Sequence, residues 1–165
     1  MSKSEQNLQD AFAGESQANR KYLAFSKKAE QEGYMQVAKL FRAAAAAETI
    51  HAHNHLRELG AVKSTAENLQ QAINGESYEF MKMYPQMISD AQAEGNNRAL
   101  KTFNLANEVE KIHAALYKKA LEDLGKTNNA FDYYVCKVCG YTAEGTAPDQ
   151  CPVCKAGKIA FYKAE

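Results

Sequence analysis

A four-residue phrase occurs twice in this chain, as Glu48-Thr-Ile-His51 and as Glu110-Lys-Ile-His113. Residues three apart share one face of a helix, so each phrase presents a carboxylate and an imidazole to a single point. One Glu-x-x-His on an amphipathic helix is weak evidence of a metal site, because surface helices are rich in Glu and contain an occasional His. Two in a duplicated frame carry more. A second candidate site comes from the cysteines: Cys136, Cys139, Cys151 and Cys154 are spaced C-x2-C-x11-C-x2-C, which suits a tetrahedral tetrathiolate centre. Iron and zinc both accept that geometry, and on spacing alone zinc is favoured. Neither cysteine pair is followed by His, which excludes attached haem.

The frame around the two phrases is itself duplicated. Gly14-Glu15-Ser16 recurs as Gly75-Glu76-Ser77, 61 positions on, whereas Glu32-Gly33, Phe41, Glu48 and His51 recur as Glu94-Gly95, Phe103, Glu110 and His113, 62 positions on. One residue inserted between Ser77 and Glu94 reconciles the two offsets. Two helical hairpins of one design follow from this, each giving a lone Glu from its first helix and a Glu-x-x-His from its second. Glu15, Glu48, His51, Glu76, Glu110 and His113 then make four carboxylates and two imidazoles. That is the donor set of ferritin-like di-iron or di-manganese bundles. The expected fold is mainly α: a ferritin-like four-helix bundle built from two repeated hairpins, with a small metal-held module at the C-terminal end.

The elements that must position these residues follow from period and punctuation. The first helix is expected from about Ser4 to Glu32, stopping at Gly33, with Leu8, Ala11, Phe12, Tyr22, Phe25 and Ala29 forming its apolar stripe. Glu15 lies on or beside that stripe, where a solvated Glu does not belong. The second helix is expected from Met35 to Leu59. His51, His53 and His55 compete there, and the repeat selects His51, since His53 matches Ala115 and His55 matches Tyr117. Ser64-Thr-Ala-Glu67 has the form of a capping box, so the third helix should run from about Thr65 to Glu94, kinked where Pro85 removes a backbone bond to residue 81. Glu79 sits one turn after Glu76, where the first hairpin has Ala18. The fourth helix should start at Asn96 or Asn97 and run to Leu124. Domain boundaries are expected at 1–125 for the bundle, 126–132 for a linker and 133–165 for the cysteine module. Some 33 residues cannot bury enough surface to fold unaided, so a metal must hold that module.

Composition excludes several classes. The 165 residues balance 20 basic against 20 acidic side chains, which gives no reason to expect nucleic acid or an anionic membrane as partner. No apolar run approaches the length of a membrane span and no secretory h-region is present, so a cytoplasmic protein is expected.

With these residues in view, the chain resembles the rubrerythrins along essentially its full length. Phe12-Ala-Gly-Glu15-Ser-Gln-Ala, Glu48-Thr-Ile-His51-Ala, Gly75-Glu76-Ser-Tyr-Glu79 with Met83-Tyr-Pro85, and Glu110-Lys-Ile-His113-Ala look like the di-iron motifs of that family. Cys136-Lys-Val-Cys139-Gly-Tyr and Ala147-Pro-Asp-Gln-Cys151-Pro-Val-Cys154 look like its rubredoxin-type knuckles. Lys137 stands where the first knuckle usually has Pro, and Lys155 where the second usually has Gly. The resemblance implies a peroxidase in which a di-iron site reduces hydrogen peroxide. A rubredoxin-like tetrathiolate iron passes in electrons from an NAD(P)H-linked reductase, directly or through rubredoxin. It implies bridging roles for Glu48 and Glu110 and terminal roles for Glu15 and Glu76. Glu79 and His51 would exchange on the first iron, His113 would bind the second, and Tyr22 and Tyr84 would donate hydrogen bonds nearby. It also moves the expected tetrathiolate metal from zinc to iron. The competing classes are a ferritin-like oxidase or iron store, which needs no thiolate module, a plain electron carrier, which needs no bundle ligands, and a zinc-ribbon interaction protein.

Connector length bears on assembly. A second helix of about 25 residues is about 37 Å long, while Ala61 to Ser64 reach at most about 14–18 Å. A ferritin-like bundle brings its second hairpin in from the opposite end, so either the third helix starts late or the two hairpins of one site come from different chains. The expectation is a homodimer with exchanged hairpins.

Overall fold

The computed structural model describes residues 2–126 and 130–165, and part of the expected linker, residues 127–129, lies outside them. The chain divides into two compact units, Met1–Lys63 and Ser64–Glu165.

The first unit is one helical hairpin, α1 (Lys3–Gln31) and α2 (Met35–Glu58). α1 begins earlier than its expected Ser4, because Ser2 and Glu5 form a capping box that satisfies the first free N–H groups. Gly33, at φ 84°, ends the first helix in the left-handed region that glycine enters without strain. The seam between the helices is lined with small residues at seven-residue spacing: Asn19 and Ser26 on α1, and Ala38, Ala45 and Ala52 on α2, are all buried. Such spacing keeps one face inward, and small side chains let the two backbones approach closely. Asn19 uses that closeness. Its Nδ2 donates to the Ala45 carbonyl at 2.7 Å and to Thr49 Oγ1 at 2.8 Å, pinning the register of α1 on α2 one turn from Glu15 and beside Glu48.

The second unit opens with α3 (Thr65–Tyr78), capped as expected: Ser64 N donates to Glu67 Oε2 at 3.2 Å and Glu67 N to Ser64 Oγ at 3.3 Å. The single helix expected over 65–94 is instead three pieces. A π turn (Glu79–Met83) separates α3 from α4 (Tyr84–Ala93). Tyr84 N–H reaches the Glu79 carbonyl five residues back, and Pro85, with no N–H to place, sits in the first turn of α4. The turn falls where the repeat gains its residue: Glu15 matches Glu76 at an offset of 61, but Tyr22 matches Tyr84 at 62. An extra residue inside a helix is absorbed by one wider turn, so the insertion and the π turn are one event. α5 (Asn97–Asp123), capped by Asn96 Oδ1 on Ala99 N, completes the second hairpin.

After α5 comes a three-stranded antiparallel sheet in the order β2–β1–β3, made of β1 (Tyr133–Cys136), β2 (Thr142–Glu144) and β3 (Phe161–Lys163). Register pairs Val135 with Thr142 and with Tyr162. This small sheet rests on α5. Gly140, at φ 86°, brings its backbone so near that an added Cβ would lie 3.8 Å from Cγ1 of the buried Val109. The Lys119 ammonium pairs with Glu144 across the same contact.

Candidate metal centres

Among the described residues, three clusters of metal-ligating side chains form, each within one unit: Glu15–Glu48–His51, Glu76–Glu110–His113, and the four cysteines. The two Glu/His clusters share a geometry that the repeat dictates. His51 Nδ1 lies 2.9 Å from Glu48 Oε2 and 3.8 Å from Glu15 Oε1, and His113 Nδ1 lies 2.8 Å from Glu110 Oε2 and 4.0 Å from Glu76 Oε1. In both, the Glu-x-x-His pair closes over one helical turn and the lone Glu comes from the neighbouring helix.

The second cluster concentrates negative charge. Burial, then repulsion from the Glu110 carboxylate and a hydrogen bond with it, push the Glu76 carboxyl up to about 7. Glu79 is raised for the same leading reasons, burial and Glu110, although its carboxyl lies outside the tight Glu76–Glu110–His113 cluster. Carboxyls forced together until they retain a proton are groups that a cation can hold in the proton's place, so the residues fit a metal. The Tyr84 hydroxyl is raised by burial and by Glu110, Glu79 and Glu76, which puts it in the field of these carboxylates. Its ring packs on Phe103 at 6.3 Å. In the first unit the Tyr22 ring packs 6.0 Å from Phe41 and 6.4 Å from Phe25. His53 is exposed and His55 half-buried, and neither joins a cluster.

The cysteine cluster fits a tetrahedral ion. Four thiolates at about 2.3 Å from a metal stand roughly 3.8 Å apart, and the Cys136–Cys154 and Cys139–Cys151 Sγ pairs are each 3.6 Å apart. Cys136 and Cys151 are buried. Burial opposes ionisation of Cys136, but hydrogen bonds from the Val138 and Cys139 backbone and from Cys154 outweigh it and lower its pKa. Such N–H donors favour thiolate over thiol.

Sequence reasoning missed two residues. Asn19 sets the register beneath the first cluster, and its only signal was a polar residue at a seam position. Thr142 was invisible: its Oγ1 lies 3.1 Å from His113 Nε2, a contact made by docking across 29 residues of chain. A largely apolar cavity of about 480 Å³ opens beside this contact, lined by Leu69, Leu116, Tyr117 and Tyr133 among others.

Paired helical Glu/His clusters joined to a tetrathiolate knuckle module define a ferritin-like di-iron protein with a rubredoxin-like domain. Comparison with known proteins agrees. The rubrerythrin family model matches residues 6–121, and the model for the rubrerythrin rubredoxin-like domain matches residues 134–162. The chain is 39% identical to Rubrerythrin-2 of Clostridium acetobutylicum over 93% of this chain and 92% of that protein. It is 38% identical to nigerythrin of Nitratidesulfovibrio vulgaris, over 94% and 84% respectively. Solved structures of nigerythrin in its mixed-valence and all-ferrous states superpose with a TM-score of 0.60 at 36% and 35% identity, covering 99% of this chain and 88% of theirs. The chain belongs to the rubrerythrin family. Its cofactors are accordingly a Glu/His di-iron centre and one iron in the tetracysteine site, so the zinc that spacing alone favours gives way to iron. At the level of the family, the activity is iron-based reduction of peroxide.

Proposed function

We propose that this chain reduces hydrogen peroxide to water with electrons from an NAD(P)H-linked reductase, delivered directly or through a rubredoxin to Cys136, Cys139, Cys151 and Cys154. The observation that carries the reading is the seating of the tetrathiolate module on α5, with Thr142 bonded to the candidate ligand His113. An iron store has no use for a thiolate module held against its carboxylate cluster. When bound, the irons supply the two electrons that, with two protons, convert one peroxide into two waters.

The chain's own residues divide the remaining work. Glu48 and Glu110 each lie within 3 Å of their histidine; they would be the bridging carboxylates, with Glu15 and Glu76 terminal. His113 would hold the second iron. Glu79 and His51 would be alternative donors to the first, since an anionic oxygen suits ferric iron and a neutral nitrogen suits ferrous iron. Tyr22 and Tyr84 offer hydroxyl protons near the site. Residues 1–125 are then the di-iron domain, 126–132 the linker and 133–165 the rubredoxin-like domain.

A cytoplasmic homodimer is the working assembly. No helix among the described residues is long and apolar enough to cross a membrane. Large apolar side chains stay uncovered on α2, with Leu40 66% and Ile50 61% exposed, and exposed apolar faces of this kind mark association. α3 does start at Thr65, which removes the late-start alternative and supports hairpins exchanged between chains. The protein, reduced by dithionite, should recover its red colour faster with peroxide than with air. Cys136→Ser should lose reductase-driven turnover while the helices stay folded, and turnover retained in that variant would overturn the electron route.

A further inference from the structure

His113 has two ring nitrogens with different neighbours. Nδ1 faces Glu110 at 2.8 Å and Glu76 at 4.0 Å, and Nε2 faces Thr142 Oγ1 at 3.1 Å. The Thr142 hydroxyl also lies 3.2 Å from the Gly140 carbonyl. A carbonyl only accepts, and a hydroxyl has a single proton, so Thr142 donates to Gly140. Its oxygen can then only accept from His113, and Nε2 keeps its hydrogen. Whatever occupies the carboxylate side, proton or metal, is therefore met by Nδ1.

The position of Thr142 is in turn fixed by the first knuckle. Cys136 N donates to the Tyr141 carbonyl at 2.9 Å, and Gly140 N donates to the Cys136 carbonyl at 2.9 Å. The Tyr141 N–H is directed at Cys139 Sγ. Thr142 is the next residue after this stitched loop. In the first hairpin there is no counterpart: among the described residues, only the Nδ1 side of His51 is engaged, and its side chain is 53% exposed against 25% for His113.

We infer that Thr142 is a positioning residue which couples the two kinds of metal site within one chain. By holding the Nε2 proton of His113, it presents Nδ1 to the Glu76–Glu110 cluster only when the tetrathiolate module is folded around its ion. Filling the cysteine site thus raises the metal affinity of the second helical cluster and leaves the first unassisted. The inference rests on the reading of the Glu/His clusters as a metal site. A hydrogen-bond acceptor on the distal nitrogen of a metal-binding His is worth about 10–100-fold in metal affinity. The module's fold depends on its metal, so the two affinities are linked through Thr142.

The test uses the full-length protein loaded with zinc at all sites, which is diamagnetic. In the wild type, ring-nitrogen NMR should show His113 protonated at Nε2 and bare at Nδ1, with that proton protected from exchange. Thr142→Val keeps the β-branched shape a strand prefers. It should lose the protection and weaken zinc at one helical site about tenfold by chelator competition, with the cysteine site unchanged. Thr142→Ser should restore both. Thr142→Val within about twofold of wild type, or Thr142→Ser as impaired as Thr142→Val, would overturn the coupling. A wild type that takes up zinc at the cysteines alone would overturn the underlying metal reading, and is told apart by its stoichiometry.

Discussion

The two Glu/His clusters began as copies and differ in what stands behind them. In the first hairpin the support lies inside: Asn19 reaches through a seam of alanines to the α2 backbone, while His51 is left more than half exposed. In the second hairpin the support lies outside. A π turn begins at Glu79, and the cysteine module braces His113 from the far side. The two histidines therefore differ in how firmly they are held: His113 is bonded on both ring nitrogens, whereas among the described residues His51 is engaged on its Nδ1 side alone. Duplication gave two similar donor sets, and the proposed exchange between Glu79 and His51 depends on the differences that came later.

The largest expected effect comes from removing Glu79, the acidic residue one turn after Glu76 that has no counterpart one turn after Glu15. Glu79→Ala restores the symmetry with Ala18, and should still bind two metals yet lose peroxide turnover by about tenfold or more, in line with loss of a supporting metal donor. Full turnover in Glu79→Ala, with His51→Ala inactive, would show that the asymmetry has no part in the reaction. Next is the amide tie of the first hairpin. Asn19→Ala strips a buried donor from the Ala45 carbonyl and Thr49, and should cost about 1–3 kcal/mol in chemical denaturation. The second hairpin has Phe80 or Met81 at the matching position, so no equivalent loss is available there.

A third test is pH. Glu76 holds its proton up to about 7 in the folded chain against 4.5 otherwise, so the folded state binds more protons between those values. Stability of the chelator-treated protein should therefore be fully present below about pH 4.5 as far as this group is concerned, and should fall as pH rises toward and through 7. Glu76→Gln should flatten that slope in thermal melts, and added divalent metal should reverse it. The smallest effect compares the two knuckles. Gly140 and Lys155 both have positive φ, 86° and 64°, but only glycine takes that conformation freely. Lys155→Gly should relieve about 1 kcal/mol of strain in the module and raise its melting temperature slightly. It also removes an ammonium that folds back on the Pro152 carbonyl at 2.8 Å, so the potential of the thiolate iron should fall.

Much of this was legible in the residues. The repeat, the Ser64–Glu67 box, the glycine stops and the cysteine spacing are local signals, and local geometry honours them. The α1 start is encoded as well, since Ser2 and Glu5 have the same box spacing, and that box places the cap two residues before Ser4. The π turn was half visible: the offset change located an extra residue, while Pro85 suggested a kink in a continuous helix. A helix interior can hide an insertion by widening one turn, and residue types do not announce that choice. Thr142 against His113 was beyond reach, because it exists only once a module has docked on α5 and no period or spacing encodes that contact.

The tetrahedron of sulfurs has a cost for the cell. Its dimensions suit zinc as well as iron, and nothing in the hydrogen bond from His113 to Thr142 senses which ion is inside. A molecule misloaded with zinc would pass every test of shape: folded, docked, its helical ligands in order. Zinc has no second valence to offer, so the same molecule would conduct nothing. Quality control over such a protein cannot operate on folding and has to operate on metal supply.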